Sequence, residues 1–372
     1  MIFNKKNNCP EADSAELKKP QQEENPQLER EIRRRRAKNG RVMKTLDRIF
    51  GFMLATVLII GVAGLSLVYI FERGPSKSLT GLFVNTMTET RRFDFMANLF
   101  LTEDEVAELT STVGGKGTIS DFDSSLIKIS SADGSSDGQA DYVQAEDEDG
   151  DGIIFETIKQ NGYVGYLITV LDPKRVIVGA PDGFGGSGLT LEQMVDKYDA
   201  LGGINAGGFN DEGGTGSGGL PEGLTILNGE VVSRSNEISM FVGFNADGLM
   251  YVGYYDDWSA SNNGILNGAS FGPILIMNGE PLSIIDSGVN PRTCIGQRAD
   301  GAVLMLVIDG RQVYSMGAPY SDCQRIMLEH GAVNAINLDG GSSTCMYFDG
   351  QYVNKCSGSS GPRALSTAFL FK

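Results

Sequence analysis

The sequence predicts an α+β domain, a mixed twisted β-sheet with a few helices, placed behind a single transmembrane helix and a helical stalk. Three observations predict it. Short strand-like runs recur from residue 153 onward, separated by turns in a chain with 49 glycines. Helix-opening signals are few: Thr190-Leu-Glu-Gln193 and Ser321-Asp-Cys-Gln324 each place a hydroxyl three residues before Gln or Glu. The 23 residues Ile49–Phe71 carry no charge at all.

The chain divides into five segments. Residues 1–48 are polar, with Pro10, Pro20 and Pro26, and read as a disordered basic cytoplasmic tail. Residues 49–71 reach about 34 Å as a helix, enough for a hydrocarbon core of about 30 Å. Arg33-Arg-Arg-Arg36 lies just upstream, which puts the N-terminus in the cytoplasm and the rest outside, in a single-pass cell-membrane protein. Residues 72–111 form the stalk: apolar residues at helical spacing from Ser78 to Phe100, then a capping box at Thr102-Glu-Asp-Glu105. Residues 112–152 are Ser/Gly/Asp-rich and read as a flexible acidic linker. Residues 153–372 form the α+β domain.

Within that domain, strand-like runs fall at Tyr163–Val170, Arg175–Gly179, Leu201–Ala206, Leu224–Leu227, Glu237–Phe244, Leu249–Tyr254, Pro273–Met277, Arg292–Gln297, Ala302–Ile308 and Ala364–Phe371. Helices fill Thr190–Ala200 and Ser321–Glu329. Tyr347–Tyr352 reads as a hairpin turning at Asp349-Gly350.

Charge and composition exclude several functions. Residues 1–71 carry +5, and the remaining 301 residues carry −21. So acidic a distal part repels phosphate backbones, which argues against nucleic acid as its partner. The single histidine, His330, ends a predicted helix, the usual place for a dipole-stabilised imidazole. One histidine rules out a multi-histidine zinc site and makes a Ser-His-Asp triad improbable. Cys294, Cys323, Cys345 and Cys356 are an even set on the outer side, with Cys345–Cys356 and Cys294–Cys323 as the preferred pairings. The hairpin sets Cys345 opposite Asn354, so the first bridge requires a diagonal or a bulge. Asp147, Asp149 and Asp151 match the first half of a calcium loop, but its twelfth position is Ile158, which cannot ligate a metal. No cofactor is required. A divalent cation, calcium or magnesium, is compatible with the Asp and Asn clusters.

The chemistry concentrates where strands end in polar residues. Ala335–Ser343 alternates as a strand and then delivers Asp339, Gly340, Gly341, Ser342 and Ser343. Gly203–Asp211 ends another strand with Asn205, Gly207, Gly208 and Asp211 at its lip. Arg292 and Thr293 open a strand, and Asp309 and Arg311 follow one. Carboxylates with a guanidinium fork suit a sugar and an anion. Trp258 suits either a sugar-stacking platform or a loop anchor.

The ordered set Asn205-Ala-Gly-Gly-Phe209, Gly272-Pro273, Asn278-Gly279, Arg292-Thr293, Ile295-Gly296, Asp309-Gly-Arg311, Leu338-Asp-Gly-Gly-Ser-Ser343 and Pro362-Arg363 resembles the phosphodiester glycosidase family over roughly Tyr163–Lys372. The resemblance implies hydrolysis of a sugar-1-phosphodiester bond in cell-envelope or exopolysaccharide glycans. The alternative it leaves open is a non-catalytic glycan-binding or scaffolding protein of the same fold. It implies Asp339 as first choice for the catalytic carboxylate, with Asp309, Asp211 and Glu222 after it. Arg292, Arg311 and Arg363 would hold the phosphate, and Asn205 and Asn337 the sugar. Gly207, Gly208 and Thr293 would line the site. Gly340, Gly341 and the N–H groups of Ser342 and Ser343 would cradle phosphate oxygens.

Overall fold

The computed structural model describes residues 26–89, 94–110, 122–129, 145–147, 149–210, 217–234, 238–284, 288–358 and 361–372. The chain separates into two units, residues 1–66 and 67–372.

The described residues of the first unit are helical. Helix α1 runs Pro26–Arg73 and contains the apolar segment. It is long and apolar enough to cross a membrane, with a mean hydropathy of 2.5 in its most apolar window. A membrane anchor and a signal sequence both fit that description. The helix corrects the reading of residues 26–48 as disordered. Arg, Lys, Glu and Leu make up 13 of these 23 residues, and all are good helix formers.

The second unit begins with α2 (Lys77–Glu89) and α3 (Glu103–Thr110). Thr102 and Glu105 close the predicted capping box on α3: the Glu105 N–H donates to Thr102 Oγ1 at 3.3 Å, and Glu105 Oε2 accepts the Thr102 N–H at 2.8 Å. The stalk does not stand apart from the domain, because Thr86 Oγ1 on α2 accepts the Val289 N–H at 3.2 Å. Part of the predicted linker is also packed down. Phe122 packs against Tyr251 with ring centroids 4.7 Å apart and planes tilted by 37°, and Ile127 is buried.

The domain is α+β, built from three antiparallel sheets that share one core rather than from a single mixed sheet. The largest places β1 (Ile153–Gln160), β2 (Tyr163–Val170), β13 (Val303–Ile308), β12 (Arg292–Arg298), β14 (Ala332–Asn337), β10 (Ile274–Met277) and β11 (Glu280–Pro281) side by side in that order. The second has the order β16 (Gln351–Tyr352), β15 (Met346–Phe348), β4 (Gly202–Asn205), β17 (Ala368–Phe371) and β3 (Val176–Gly179). The third has β6 (Glu230–Ser233), β5 (Thr225–Leu227), β9 (Ile265–Ser270), β7 (Ser239–Asn245) and β8 (Met250–Tyr255).

Strand β13 shows why the sheets stack. Its sequence Val-Leu-Met-Leu-Val-Ile is apolar throughout, and all six side chains are buried. Val303, Met305 and Val307 face the core between the sheets, and Leu304, Leu306 and Ile308 face a second cluster under α6 (Tyr320–Glu329). Each fully buried side chain of this kind contributes about 1.5–3 kcal/mol. Helix α4 (Leu191–Tyr198) covers the outer face of the second sheet through Leu191, Met194 and Val195, and its Thr190–Gln193 capping box is formed. Helix α6 starts differently from the prediction. Its cap is Pro319, without a side-chain hydrogen bond, because the fixed proline φ starts the helix before Ser321. A short helix, α5 (Asp257–Asn262), carries Trp258, which is 74% exposed.

Candidate active site

The first and second sheets meet where β14 and β4 end, and the polar residues collect there. Asp339 follows β14 and is half-buried. Its N–H donates to the Ala206 carbonyl at 3.1 Å, across the gap between the sheets. Asn205, the last residue of β4, is 1% exposed. Its Nδ2 donates to the Asp339 carbonyl at 2.6 Å, while its Oδ1 accepts Thr293 Oγ1 at 2.7 Å and the Cys345 N–H at 3.1 Å. One amide therefore fastens four segments around the carboxylate. Asn337, equally buried, donates to the carbonyls of Gly272 and Leu338, each at 2.8 Å. These commitments turn the expectation that both asparagines contact sugar into a positioning role, because their polar atoms are used in holding backbone.

The turn after Asp339 is compact. Gly341 has φ +61°, in the left-handed region open to glycine, and its N–H donates to the Pro291 carbonyl at 3.0 Å. The Ser343 N–H closes the turn on Gly340 at 3.1 Å. Two of the backbone donors expected to cradle phosphate are therefore engaged within the fold. Two cationic side chains lie at the same turn. Arg363 Nη1 donates to Ser342 Oγ at 2.8 Å, and its guanidinium lies 5.0 Å from the centre of the Phe209 ring. Arg311 is the second. A Cβ on Gly341 would lie 3.3 Å from Arg311 Nη2, and that nitrogen donates to Asn290 Oδ1 at 3.2 Å. Arg311 has φ +58°, a conformation that costs a non-glycine residue about 1–3 kcal/mol and that gathers at functional sites.

The remaining candidates divide by position. Glu222 is exposed; its N–H donates to the Gly208 carbonyl at 2.8 Å, and Oε2 lies 3.6 Å from where a Gly208 Cβ would sit. With Gly208, Ser239, Ser270 and Phe271 it lines a hollow of about 250 Å³. A Cβ on Gly207 would lie 3.1 Å from both the Ser270 carbonyl oxygen and Ala269 Cβ, tighter than ordinary contact. Arg292 is buried rather than offered to a ligand: Nε donates to the Ala318 carbonyl at 3.0 Å, Nη2 to that of Gly288 at 2.6 Å, and the guanidinium stacks on Tyr320 at 4.2 Å. Asp211 lies outside the described residues.

Asp309 is set back from the lip and is 1% exposed. Its Oδ1 accepts the Lys355 N–H at 3.0 Å and Asn354 Nδ2 at 3.3 Å, whereas Oδ2 has no hydrogen-bond partner among the described residues. Burial raises its pKa above the ordinary 3.8, against the lowering effect of the Asn354 and Lys355 hydrogen bonds. A carboxyl raised in this way holds its proton more tightly folded than unfolded. Its favourable contribution is complete below 3.8 and is lost as pH rises through the higher folded value. Asp309→Asn keeps the Oδ1 acceptor and removes the titration. Thermal midpoints across roughly pH 4 to 7 are expected to show the variant gaining on the parent as pH rises. A pH-independent difference would contradict the assignment.

Several contributors carried no sequence signal as site residues. Ser357 Oγ donates to the Gly341 carbonyl at 2.9 Å, so the segment after the hairpin supports both Asp309 and the glycine turn. Asn290 holds Arg311. The hairpin register, Tyr347 with Tyr352 and Phe348 with Gln351, is the predicted one. Cys345 and Cys356 pack together beneath α4, and Cys294 of β12 packs with Cys323 of α6; all four are thiols in this structure. The Cys345 hydrogen bond lowers the pKa of Cys356, and Cys345 itself is pushed up by Cys356 and by burial. His330 Nδ1 lies 2.7 Å from the Ile326 carbonyl at the end of α6, in the structural place expected for it. The carboxylates of Asp147, Asp149 and Asp151 have oxygens within 4.8 Å of one another, a donor set that could hold a hard cation such as calcium.

A family model described as phosphodiester glycosidase matches residues 198–372. A prophage-derived uncharacterized protein of Bacillus subtilis (strain 168), YomE, is 30% identical over 182 residues, which cover 45% of this chain and 27% of the relative. The chain thus spans about a quarter of that relative's length. Among solved structures, the catalytic domain of zebrafish N-acetylglucosamine-1-phosphodiester alpha-N-acetylglucosaminidase, auto-inhibited by its pro-peptide, matches with a TM-score of 0.50 and 23% identity, over 59% of this chain and 81% of that one. A hypothetical protein from Synechocystis matches with a TM-score of 0.47 and 16% identity, over 59% of this chain and 62% of that one. The likeness to the phosphodiester glycosidase family thus lies in the domain at residues 198–372.

Proposed function

We propose that the domain hydrolyses a glycosyl phosphodiester at the bond between the anomeric carbon and the phosphate oxygen. The observation that carries the reading is the placement of Arg311 beside Gly341 and of Arg363 on the Ser342 hydroxyl, directly after Asp339. A phosphate monoester has its second pKa near 6, so as a leaving group it needs charge stabilisation more than a proton. Two guanidinium groups supply that charge. Asp339 faces the sugar side, as nucleophile or as the base that activates water, and Glu222 is the second carboxylate on the opposite lip. Asn205 and Asn337 fix the position of Asp339, and Arg292 fixes the loop beneath it.

In the same proposal, α1 anchors the protein in the cell membrane with the domain outside, and the substrate belongs to cell-envelope or exopolysaccharide glycans. An oxidising exterior would close Cys345–Cys356 and Cys294–Cys323 as disulfides. Protein isolated without reductant, alkylated and digested is expected to yield both linked peptide pairs. Full alkylation of all four cysteines would place the domain in a reducing compartment.

The direct test incubates the full chain with N-acetylglucosamine 1-(methyl phosphate). Release of free sugar and methyl phosphate is expected. Release of methanol and sugar 1-phosphate would identify a phosphodiesterase instead. Binding without turnover would favour a scaffolding protein of the same fold.

A further inference from the structure

A second cleft opens away from Asp339, at the edge where β1 and β2 of the first sheet face the β15–β16 hairpin of the second. It holds about 360 Å³, within the range of small-ligand sites. Aromatic rings form its wall. Phe155 stands 6.3 Å from Tyr166 with ring planes 14° apart, and 6.1 Å from Phe348 with planes 30° apart. Phe155 is 39% exposed, on a strand whose neighbouring apolar residues Ile153 and Ile154 are buried. Polar groups sit at the rim: Asp349, in the left-handed turn of the hairpin, and Gln351, both exposed. Among the described residues, no lysine or arginine lines the cleft.

We infer that this cleft is a glycan subsite that takes a neutral pyranose ring, separate from the position of the reacting sugar. A pyranose presents a face of C–H bonds and an edge of hydroxyls. The C–H face packs on the electron-rich faces of a row of near-parallel rings, and the hydroxyls need acceptors and amide donors such as Asp349 and Gln351. A phosphate or uronate would meet the Asp349 carboxylate with no cation to offset it. One wall of the cleft lies near Asp309. Tyr166 lies close enough to Asp309 and Tyr314 for their charges to bear on its hydroxyl, and Tyr314 shares a loop with Arg311. One glycan chain could therefore occupy both places, with its phosphodiester at Arg311 and a sugar farther along the chain on Phe155. The inference rests on the glycan reading of the domain, but it concerns binding rather than turnover.

The test uses the full chain and two neutral probes, chitotetraose and maltotetraose, titrated by saturation-transfer NMR. At least one is expected to bind, with affinity lowered about tenfold in Phe155→Ala and several-fold in Gln351→Ala. Release of sugar from N-acetylglucosamine 1-(methyl phosphate) is expected to stay within about twofold of the parent in both variants, which also shows that they are folded. If neither probe binds, or if both variants bind as the parent does, the subsite assignment is overturned. Binding that depends on Phe155 in a protein that turns over no phosphodiester would uphold the subsite and refute the hydrolase reading. Turnover without probe binding would do the reverse.

Discussion

Asp339→Asn is expected to lower turnover of a glycosyl phosphodiester by about a thousandfold, the middle of the range for removing a positioned acid–base carboxylate. The substitution keeps size and shape. Two of the contacts that place this residue run through its backbone, to Ala206 and to Asn205, and asparagine keeps both. Folding should therefore be preserved, and KM should change much less than kcat. Asp309→Asn provides the contrast. Asp309 is buried under Asn354 and Lys355, away from the lip, so its replacement is expected to cost less than about tenfold. Equal losses in the two variants would show that the catalytic carboxylate has been misassigned.

Asn205→Ala carries the largest expected effect on stability. The amide satisfies the Cys345 N–H and the Asp339 carbonyl in a buried place, and it pairs with Thr293 Oγ1. Alanine leaves these groups unmade, at about 1–3 kcal/mol for each buried group left unsatisfied. A loss of about 3 kcal/mol lowers the melting midpoint of a domain this size by roughly 10 °C. Asn205→Asp should retain part of the acceptor function and lose the donor, because the carboxylate cannot donate to the Asp339 carbonyl. Calorimetry on the three proteins checks the order. A midpoint unchanged in Asn205→Ala would remove the claim that this residue joins the sheets at the site.

The sequence made some of this legible and hid the rest for physical reasons. Asp339 could be found because a period-two strand, Ile336 and Leu338 against Asn337 and Asp339, ends in two glycines. The Asp349-Gly350 hairpin and the Thr190–Gln193 capping box depend on neighbours in sequence, and both formed in the expected register. The roles of the three arginines were not legible. Arg292, Arg311 and Arg363 look alike in sequence, yet one bolts two loops to Tyr320 and two lie at the Gly341–Ser342 turn. That difference arises from which carbonyls lie nearby once the sheets pack. Asn205 and Asn337 read as ligands for the same reason, since nothing local shows that their amides will be consumed by Asp339 and Gly272. Strand β9 escaped notice because Ile-Leu-Asn-Gly-Ala-Ser is weakly apolar, and its pairing with β5 and β7 comes from distant residues. Helix α1 extended past the predicted membrane segment because helix propensity in Arg-rich sequence competes with the compositional signal for disorder.

The central claim is that cleavage occurs at the sugar carbon, with the phosphate leaving. Hydrolysis of N-acetylglucosamine 1-(methyl phosphate) in water enriched in oxygen-18 tests it most directly. The account predicts methyl phosphate without label, because its oxygens all come from the substrate. Methanol together with a labelled sugar 1-phosphate, or labelled methyl phosphate, would mean attack at phosphorus, and would contradict the assignment of Asp339 to the sugar and of Arg311 and Arg363 to the departing phosphate.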